Sequence, residues 1–466
     1  MRATRLVCTI GPASEAVVPA LVAAGMDVAR INCSHGSRED HDRLLAAVRA
    51  AAEEAGRPVG VMADLSGPKV RLAELAGGEI TLADGDRFEL RSGGLGDATG
   101  AATTYEGLAR DLEPSDRVLL ADGAAELEVV EASGDVVITR VVRGGTIRSR
   151  AGVNVPSERL AIEPVTEKDR VDLAWALGAG VDMVAQSFVR RAEDVRALAA
   201  LMPEVRPLLV VKIETSSAVS EAAAILREAD AMIVARGDLG VEMPPERIPV
   251  VQKRLVATAN DAAGPVIVAT QMLESMIKAP RPTRAEAGDV AGAAFDGADA
   301  ILLSGETAIG AYPVEAARTA ASILETAETE GAEFLPAGRE PGALDMEELP
   351  LARAAAVLAR RGGARAVVVF TRSGLTARLV AATRPGVPIH AFSPHPEAIG
   401  RMTLFHGVTP MHAEMPEDTD AMIDGMERHL IQAGLAREDD LMVMVASSPA
   451  GRTHANLLKM HRVASL

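Results

Sequence analysis

Cysteine is nearly absent from the 466 residues: Cys8 and Cys33 are the only two. They form no C-x-x-C pair and stand near no His pair with zinc spacing. That excludes a disulfide framework and a zinc module, and it fits a reducing cytoplasm. Aromatic residues make up only 2% of the chain, so the cores must be aliphatic, and stacking platforms for single-stranded nucleic acid are disfavoured. Positive charge is in deficit as well. Lys and Arg number 48 against 65 Asp and Glu, and the net charge of −17 repels nucleic acid and anionic membrane. An anionic substrate therefore has to meet positive charge gathered locally. No apolar run approaches the roughly 18 residues of a membrane span, and the apolar part of "MRATRLVCTIGPAS" is too short for a signal peptide. The nine His are scattered, and most are expected at the surface.

What is present is a rhythm. The length suggests about two to four domains, and 48% hydrophobic residues suffice for large cores. Eight short apolar runs end in polar residues: "RLVCTIGPAS", "MDVARINCSHG", "VGVMADLSGPKVR", "VDMVAQSFVR", "LLVVKIET", "AMIVARGDLG", "PVIVATQMLESM" and "AILLSGET". Segments with helical periodicity, such as "RAEDVRALAALM" and "SAVSEAAAILREA", lie between most of them. Eight strand–helix units predict an α/β chain built on a (β/α)8 TIM-type barrel, with its site at the carboxyl ends of the strands.

The rhythm breaks once. Between "GPKVR" and "AGVNVPS", the segments "EITLADGDRFELR", "DRVLLADGAAELEVVE" and "DVVITRVV" alternate apolar and polar residues around Gly and Asp turns. They predict a small antiparallel β domain inserted after barrel strand three, placed to act as a lid. The expected division is barrel at 1–71 and 152–335, insert at 72–151, and a C-terminal α/β domain at 345–466 after the acidic linker "GAEFLPAGREPGALDMEELP". In that last domain "ARAVVVFTRSG", "VPIHAFSP" and "DDLMVMVASS" predict strands. Ser373 and Gly374 fall at a strand-to-helix turn, which is equally an ordinary N-cap or a phosphate site.

The strand ends carry the chemistry. Strand two supplies Arg30, Asn32 and Ser34; strand three supplies Asp64, Lys69 and Arg71; strand five supplies Lys212 and Glu214. Strand six supplies Arg236, Gly237 and Asp238; strand seven supplies Thr270 and Gln271; strand eight supplies Ser304 and Glu306. Lys212 and Glu214, two apart on a strand, point to one face. Glu214 and Asp238 are hard oxygen donors on neighbouring strands, suited to Mg²⁺ or Mn²⁺. Lys212, Arg30 and Arg71 add cations, so the site calls for an anionic substrate bearing phosphate, carboxylate or both. Gly237 would let a ligand approach the backbone closely. One such ion pair taken singly is as easily a buried structural salt bridge. Charge at several strand ends is harder to explain that way, because buried charge is costly unless paired or metal-bound.

The runs "CTIGPAS", "VARINCSHG", "VKIE", "VARGDLGVE", "ATQMLESMIKAPRPTRAE" and "DGADAILLSGETAIGAYPVEA" together resemble the pyruvate kinase family, in order along nearly the whole chain. The resemblance implies transfer of a phosphoryl group from phosphoenolpyruvate to ADP, giving pyruvate and ATP in the last step of glycolysis. It implies that Lys212 steadies the developing enolate and the phosphoryl group, and that Glu214 and Asp238 hold Mg²⁺. Arg30, Gly237, Asp238 and Thr270 would contact the substrate. Asn32, Ser34, His35 and Arg71 would line the nucleotide side, with Ser304 and Glu306 in a proton relay. The insert matches the family's mobile domain. The tail matches its effector domain, which assigns Thr371, Ser373, Gly374 and Thr376 to a phosphorylated allosteric ligand. A cytoplasmic homotetramer is the family expectation.

The sequence departs from the family at one place that matters. Many members hold K⁺ through residues matching Asn32, Ser34, Asp64 and the backbone of Leu65, and carry Glu where this chain has Lys69 in "DLSGPKVR". Lys at that place goes with K⁺ independence, since a tethered ammonium can replace the free ion; the alternative is a Lys69 that points to solvent. Arg150 with Ala151, Gly292 and Ile309 are smaller departures. Two other readings stay open: a catalytically impaired binding paralogue, and another phosphoenolpyruvate-using barrel such as a mutase or aldolase.

Overall fold

The computed structural model describes residues 2–336, 341–342, 346–449 and 454–464; of the expected linker, 337–340 and 343–345 lie outside the described residues. Its centre is a closed barrel of eight parallel strands: Arg5–Thr9, Val28–Asn32, Gly60–Asp64, Met183–Gln186, Leu208–Ile213, Ala231–Ala235, Val266–Ala269 and Ala300–Leu303. All eight predicted runs are there. They read as unbroken apolar stretches because the strands are buried on both faces, against the barrel interior and against the surrounding helices. Helices follow where the chain supplies start signals. Capping boxes at Ser37/Asp40, Thr166/Asp169 and Thr283/Glu286 open Arg38–Glu54, Glu167–Gly178 and Arg284–Asp296.

The insert follows barrel strand three, as expected. It holds a six-stranded sheet and a separate two-stranded one, closed around Phe88, Leu90, Leu127 and Val141. It is not wholly antiparallel: Arg87–Arg91 pairs in parallel with Gly100–Ala102. The short strands Gly100–Ala102, Gly145–Arg148 and Val153–Asn154 have too few residues to show alternation.

The C-terminal domain carries a five-stranded sheet. The three predicted strands, Ala366–Phe370, Ile389–Ser393 and Leu441–Ala446, form its centre. Two further strands were not expected, Val408–His412 and Leu457–Arg462. They are the sheet's edges, half exposed, and the first contains Pro410, which only an edge tolerates. Two His differ from the expected surface placement. His41 is buried against Trp175, and His390 is buried in a central strand of this sheet.

The base of the barrel has an order of its own. Asp27, Asp182, Asp230 and Asp299 each precede an even-numbered strand and accept a backbone N–H from the preceding odd one: Leu6, Val61, Leu209 and Val266, at 2.8–2.9 Å. Each also faces arginine: Arg2 and Arg5, Arg49, Arg206 and Arg378, and Arg384 respectively. A backbone donor plus a guanidinium satisfies each carboxylate locally, so this ring fixes strand register and docks the C-terminal domain.

Candidate active site

At the other end of the barrel, Lys212 leaves strand five with its side chain 14% exposed. Its Nζ lies 2.9 Å from Glu214 Oε1, 3.4 Å from Asp64 Oδ1 and 2.9 Å from Ser187 Oγ. One amine is thus shared by two carboxylates that arrive from strands three and five. Arg30, from strand two, donates to the far oxygen of Asp64 at 2.6 Å and to Thr9 Oγ1 at 2.8 Å. Glu214 Oε2 accepts the Phe188 N–H at 2.8 Å, and Phe188 holds the uncommon φ of 55° to present it.

Asp238 lies in the first turn of the helix Arg236–Glu242, directly after strand six. Lys69 Nζ stands 3.2 Å from Asp238 Oδ1, 4.0 Å from Asp122 Oδ1 of the insert, and 5.6 Å from the centre of the Phe188 ring. It does not point to solvent. Arg30, Asn32, Ser34, His35, Arg71, Lys69, Lys212, Glu214 and Asp238 together line one cleft of about 380 Å³. Most of the predicted strand-end residues therefore converge.

Others stand off from that cleft. Thr270 is tied to the residue before Asp238: the Gly237 N–H donates to Thr270 Oγ1 at 2.7 Å; Thr270 and Gln271 both have positive φ, 67° and 56°. A Cβ at Gly237 would make only ordinary contact with Thr270, so the protein itself does not require glycine there. Arg236 is turned into the scaffold, where it donates to Asp289 at 2.7 Å and to the Thr270 carbonyl at 2.6 Å. Glu306 is fully buried, and its two oxygens accept the Leu273 and Ser304 N–H groups at 3.0 and 2.8 Å. Those contacts make Glu306 a brace between two loops.

The oxygens proposed to hold a monovalent ion are already engaged. Asp64 serves Arg30, Lys212 and Ser187; the Leu65 carbonyl accepts Ser187 Oγ at 2.7 Å; Asn32 Oδ1 accepts the Ser34 N–H at 3.1 Å. Ser66, Lys168, Ser187 and Phe188 also line the cleft and were missed from sequence. The signal for the last two was available: "AQSFVR" is itself a strand end.

The electrostatics are tense. Burial would raise the Asp64 carboxyl, but Lys212 and Arg30 outweigh it and hold it below the ordinary range. Burial opposes the Lys212 ammonium, yet Asp64 and Glu214 keep its pKa above the usual lysine value. Burial pushes the Glu214 carboxyl up; Lys212 pulls it back, and the nearby Asp238 charge pushes it up again, for a net rise. Two acids that resist joint ionisation are relieved by a cation between them. Glu214 and Asp238 offer oxygen only, a donor set that fits a divalent ion completed by substrate oxygens and water. Among the described residues no cluster of three or more His, Cys, Asp or Glu forms a complete protein-only metal cage.

In the C-terminal domain, Gly374 (φ 92°) is the N-cap of Leu375–Ala382, and its N–H donates to Thr371 Oγ1 at 3.1 Å. Ser373 is exposed, while Thr371 and Thr376 are buried.

Known proteins share this sequence and fold. Residues 1–317 match the family description "Pyruvate kinase, barrel domain", and residues 350–461 match "Pyruvate kinase, alpha/beta domain". The pyruvate kinase of Mycobacterium tuberculosis is 41% identical over 468 residues, spanning 99% of this chain and 98% of that one. That of Geobacillus stearothermophilus is 40% identical over 476 residues, spanning 100% of this chain and 81% of that one. The solved pyruvate kinase from Cryptosporidium parvum superposes with a TM-score of 0.91 at 32% identity, covering 99% of this chain and 96% of that one. With both parts of the molecule matched and the Mycobacterium tuberculosis relative aligned over nearly the whole of both chains, the chain belongs to the pyruvate kinase family and is a phosphotransferase.

Proposed function

We propose that this chain moves the phosphoryl group of phosphoenolpyruvate to ADP, with Lys212 as the central cation. The observation that carries the reading is the shared amine: Lys212 within 2.9 Å of Glu214 and 3.4 Å of Asp64, with Arg30 bound to the same Asp64. The bond from phosphorus to the enol oxygen breaks, and one from phosphorus to the terminal oxygen of ADP forms. The enolate left behind carries a full charge, which Lys212 stabilises at its oxygen. Arg30 binds the phosphoryl oxygens; Asn32, Ser34, His35 and Arg71 face the nucleotide. A Mg²⁺ ion held by Glu214 and Asp238 would neutralise charge on the substrate's carboxylate and phosphoryl oxygens. A proton delivered to the enolate carbon near Thr270 yields pyruvate. Ser304 and Glu306, whose carboxylate accepts the Leu273 and Ser304 N–H groups, would relay that proton. The insert, 72–151, closes over the cleft and excludes the water that would hydrolyse the transferring group.

Lys69 supplies the positive charge that a monovalent ion would bring, so turnover needs no added K⁺. The engaged Asp64, Leu65 and Asn32 oxygens support that reading. Thr371, Ser373, Gly374 and Thr376 receive a phosphorylated effector in the domain 345–466, and the protein works as a cytoplasmic homotetramer. A coupled assay for ADP-dependent pyruvate formation tests the function. Turnover that depends on ADP and is lost in Lys212→Met supports it. Phosphoenolpyruvate binding without turnover would mark a binding paralogue, and ADP-independent consumption would mark a mutase or aldolase.

A further inference from the structure

Several clefts lie where the base of the barrel meets the C-terminal domain, and one of them is lined by prolines. Strands three, four and five begin at Gly60, Met183 and Leu208. Beside those starts, and beneath the short helix Pro396–Met402, lies an open cleft of about 600 Å³. Its volume is that of a small-molecule site. Pro58, Pro203, Pro207 and Pro396 give it stiff apolar walls, and Val205 stands 69% exposed within it. Prolines lose little freedom on binding, and the exposed Val205 adds apolar surface beside them.

One polar group in the lining is also without a partner. The Nε of Arg401 is buried and has no hydrogen-bond partner among the described residues. The base arginines are different: Arg49, in the same cleft, is engaged by Asp182 at 3.0 Å and by the Gly180 carbonyl at 3.0 Å. Glu397 and Asp182 are the lining carboxylates. Asp182 is committed to Arg49 and the Val61 N–H, and the Glu397 side chain is half exposed. A buried donor on a guanidinium is costly unless an acceptor reaches it.

We propose that this cleft binds a small organic anion, a phosphate or carboxylate carried on an apolar body, with the charge on Arg401 and the body against the prolines and Val205. The site is separate from both the mouth cleft and the 371–376 turn. It lies at the amino ends of the same three strands whose carboxyl ends deliver Asp64, Ser187, Lys212 and Glu214.

Equilibrium dialysis with phenyl phosphate, benzoate and inorganic phosphate tests this on the full chain, on Arg401→Met and on Val205→Glu. The two aryl anions separate phosphate from carboxylate as the preferred head. The expected result is saturable binding of at least one aryl anion, tighter than that of inorganic phosphate. Each substitution should weaken it by about tenfold or more, as loss of a charge-assisted contact or gain of a repelling carboxylate requires. Basal turnover, which does not involve either residue, reports that the variants fold. If Arg401→Met fails to fold, Val205→Glu decides alone. Equal aryl-anion binding in all folded proteins overturns the proposal, and so does inorganic phosphate binding as tightly as both aryl anions.

Discussion

At the base of the barrel, four aspartates each accept one strand N–H and face their own arginines. At the mouth, one amine is divided between Asp64 and Glu214, and a second between Asp238 and, more distantly, Asp122. Both ends bury charge, but only the base satisfies it group by group. Titration does not follow that divide: burial raises Asp182 at the base, while at the mouth burial is outweighed by Lys212 and Arg30, which lower Asp64. Burial would raise Asp27, but Arg2, Arg5 and the Leu6 N–H outweigh it and hold that carboxyl down; Glu214 at the mouth is held up. Charge that is locally complete holds a fold together. Charge that is shared and strained is ready for a ligand.

The largest effect that tests this contrast is expected at Lys212. Lys212→Met should lower kcat by about a thousandfold, the scale of a lost transition-state stabiliser. An unchanged kcat with a collapsed melting temperature would place Lys212 with the structural base pairs instead. Asp299→Ala should act on stability instead. It leaves Arg384 buried without its partner at 3.0 Å, and urea unfolding should report a loss of about 3 kcal/mol with kcat nearly intact.

Lys69→Glu makes the comparison finer. Without its ammonium the cleft should need a free ion. In K⁺-free buffer turnover should drop on the order of tenfold, about 1.4 kcal/mol of barrel-mouth charge, and added K⁺ should restore it. Strong K⁺ activation of the unaltered chain would defeat the Lys69 reading. Ser187→Ala removes the hydroxyl that joins Lys212, Asp64 and the Leu65 carbonyl. A several-fold fall in kcat is expected, recovered in Ser187→Thr, and a KM change alone would count against a positioning role.

The smallest effect concerns Glu242, which accepts the Ser216 N–H at 2.6 Å and the Ser157 hydroxyl at 3.3 Å near the root of the insert. Burial pushes its carboxyl from 4.5 up to about 7. A raised carboxyl stabilises the fold only while it stays protonated, so its contribution is full below about pH 4.5 and is lost as pH rises through 7. The melting temperature of the unaltered chain relative to Glu242→Gln should therefore fall across that window and level off above it. Asp27 has the opposite sign: its lowered pKa means that its stabilisation is present above 3.8 and is lost as pH falls through the lowered value.

Much of this architecture is legible in the residues. Eight apolar runs with polar ends gave eight barrel strands, since a strand buried on both faces has to be apolar throughout. The C-terminal edge strands were not legible, because half-exposed residues such as those of Leu457–Arg462 carry no periodic mark of burial. At the site, Lys212, Glu214, Arg30 and Asp238 were found because charge after an apolar run is conspicuous. Ser187 was passed over although it ends a predicted strand, because a neutral hydroxyl is less conspicuous there than a charge. Glu306 was assigned to proton transfer on the resemblance, and the Leu273 N–H that meets it from another loop becomes visible only in the fold.

The amino-acid order by itself determined the class of fold, the position of the insert, the family, and which strand ends carry charge. Those properties are local: they depend on side-chain polarity along a few consecutive residues. Tertiary structure alone decided which charges complete one another and which compete. Asp64 and Lys212 are far apart along the chain, and so are Asp299 and Arg384. Closing the barrel and docking the second domain on its base bring each pair within a few ångströms, in surroundings where water no longer evens out the difference.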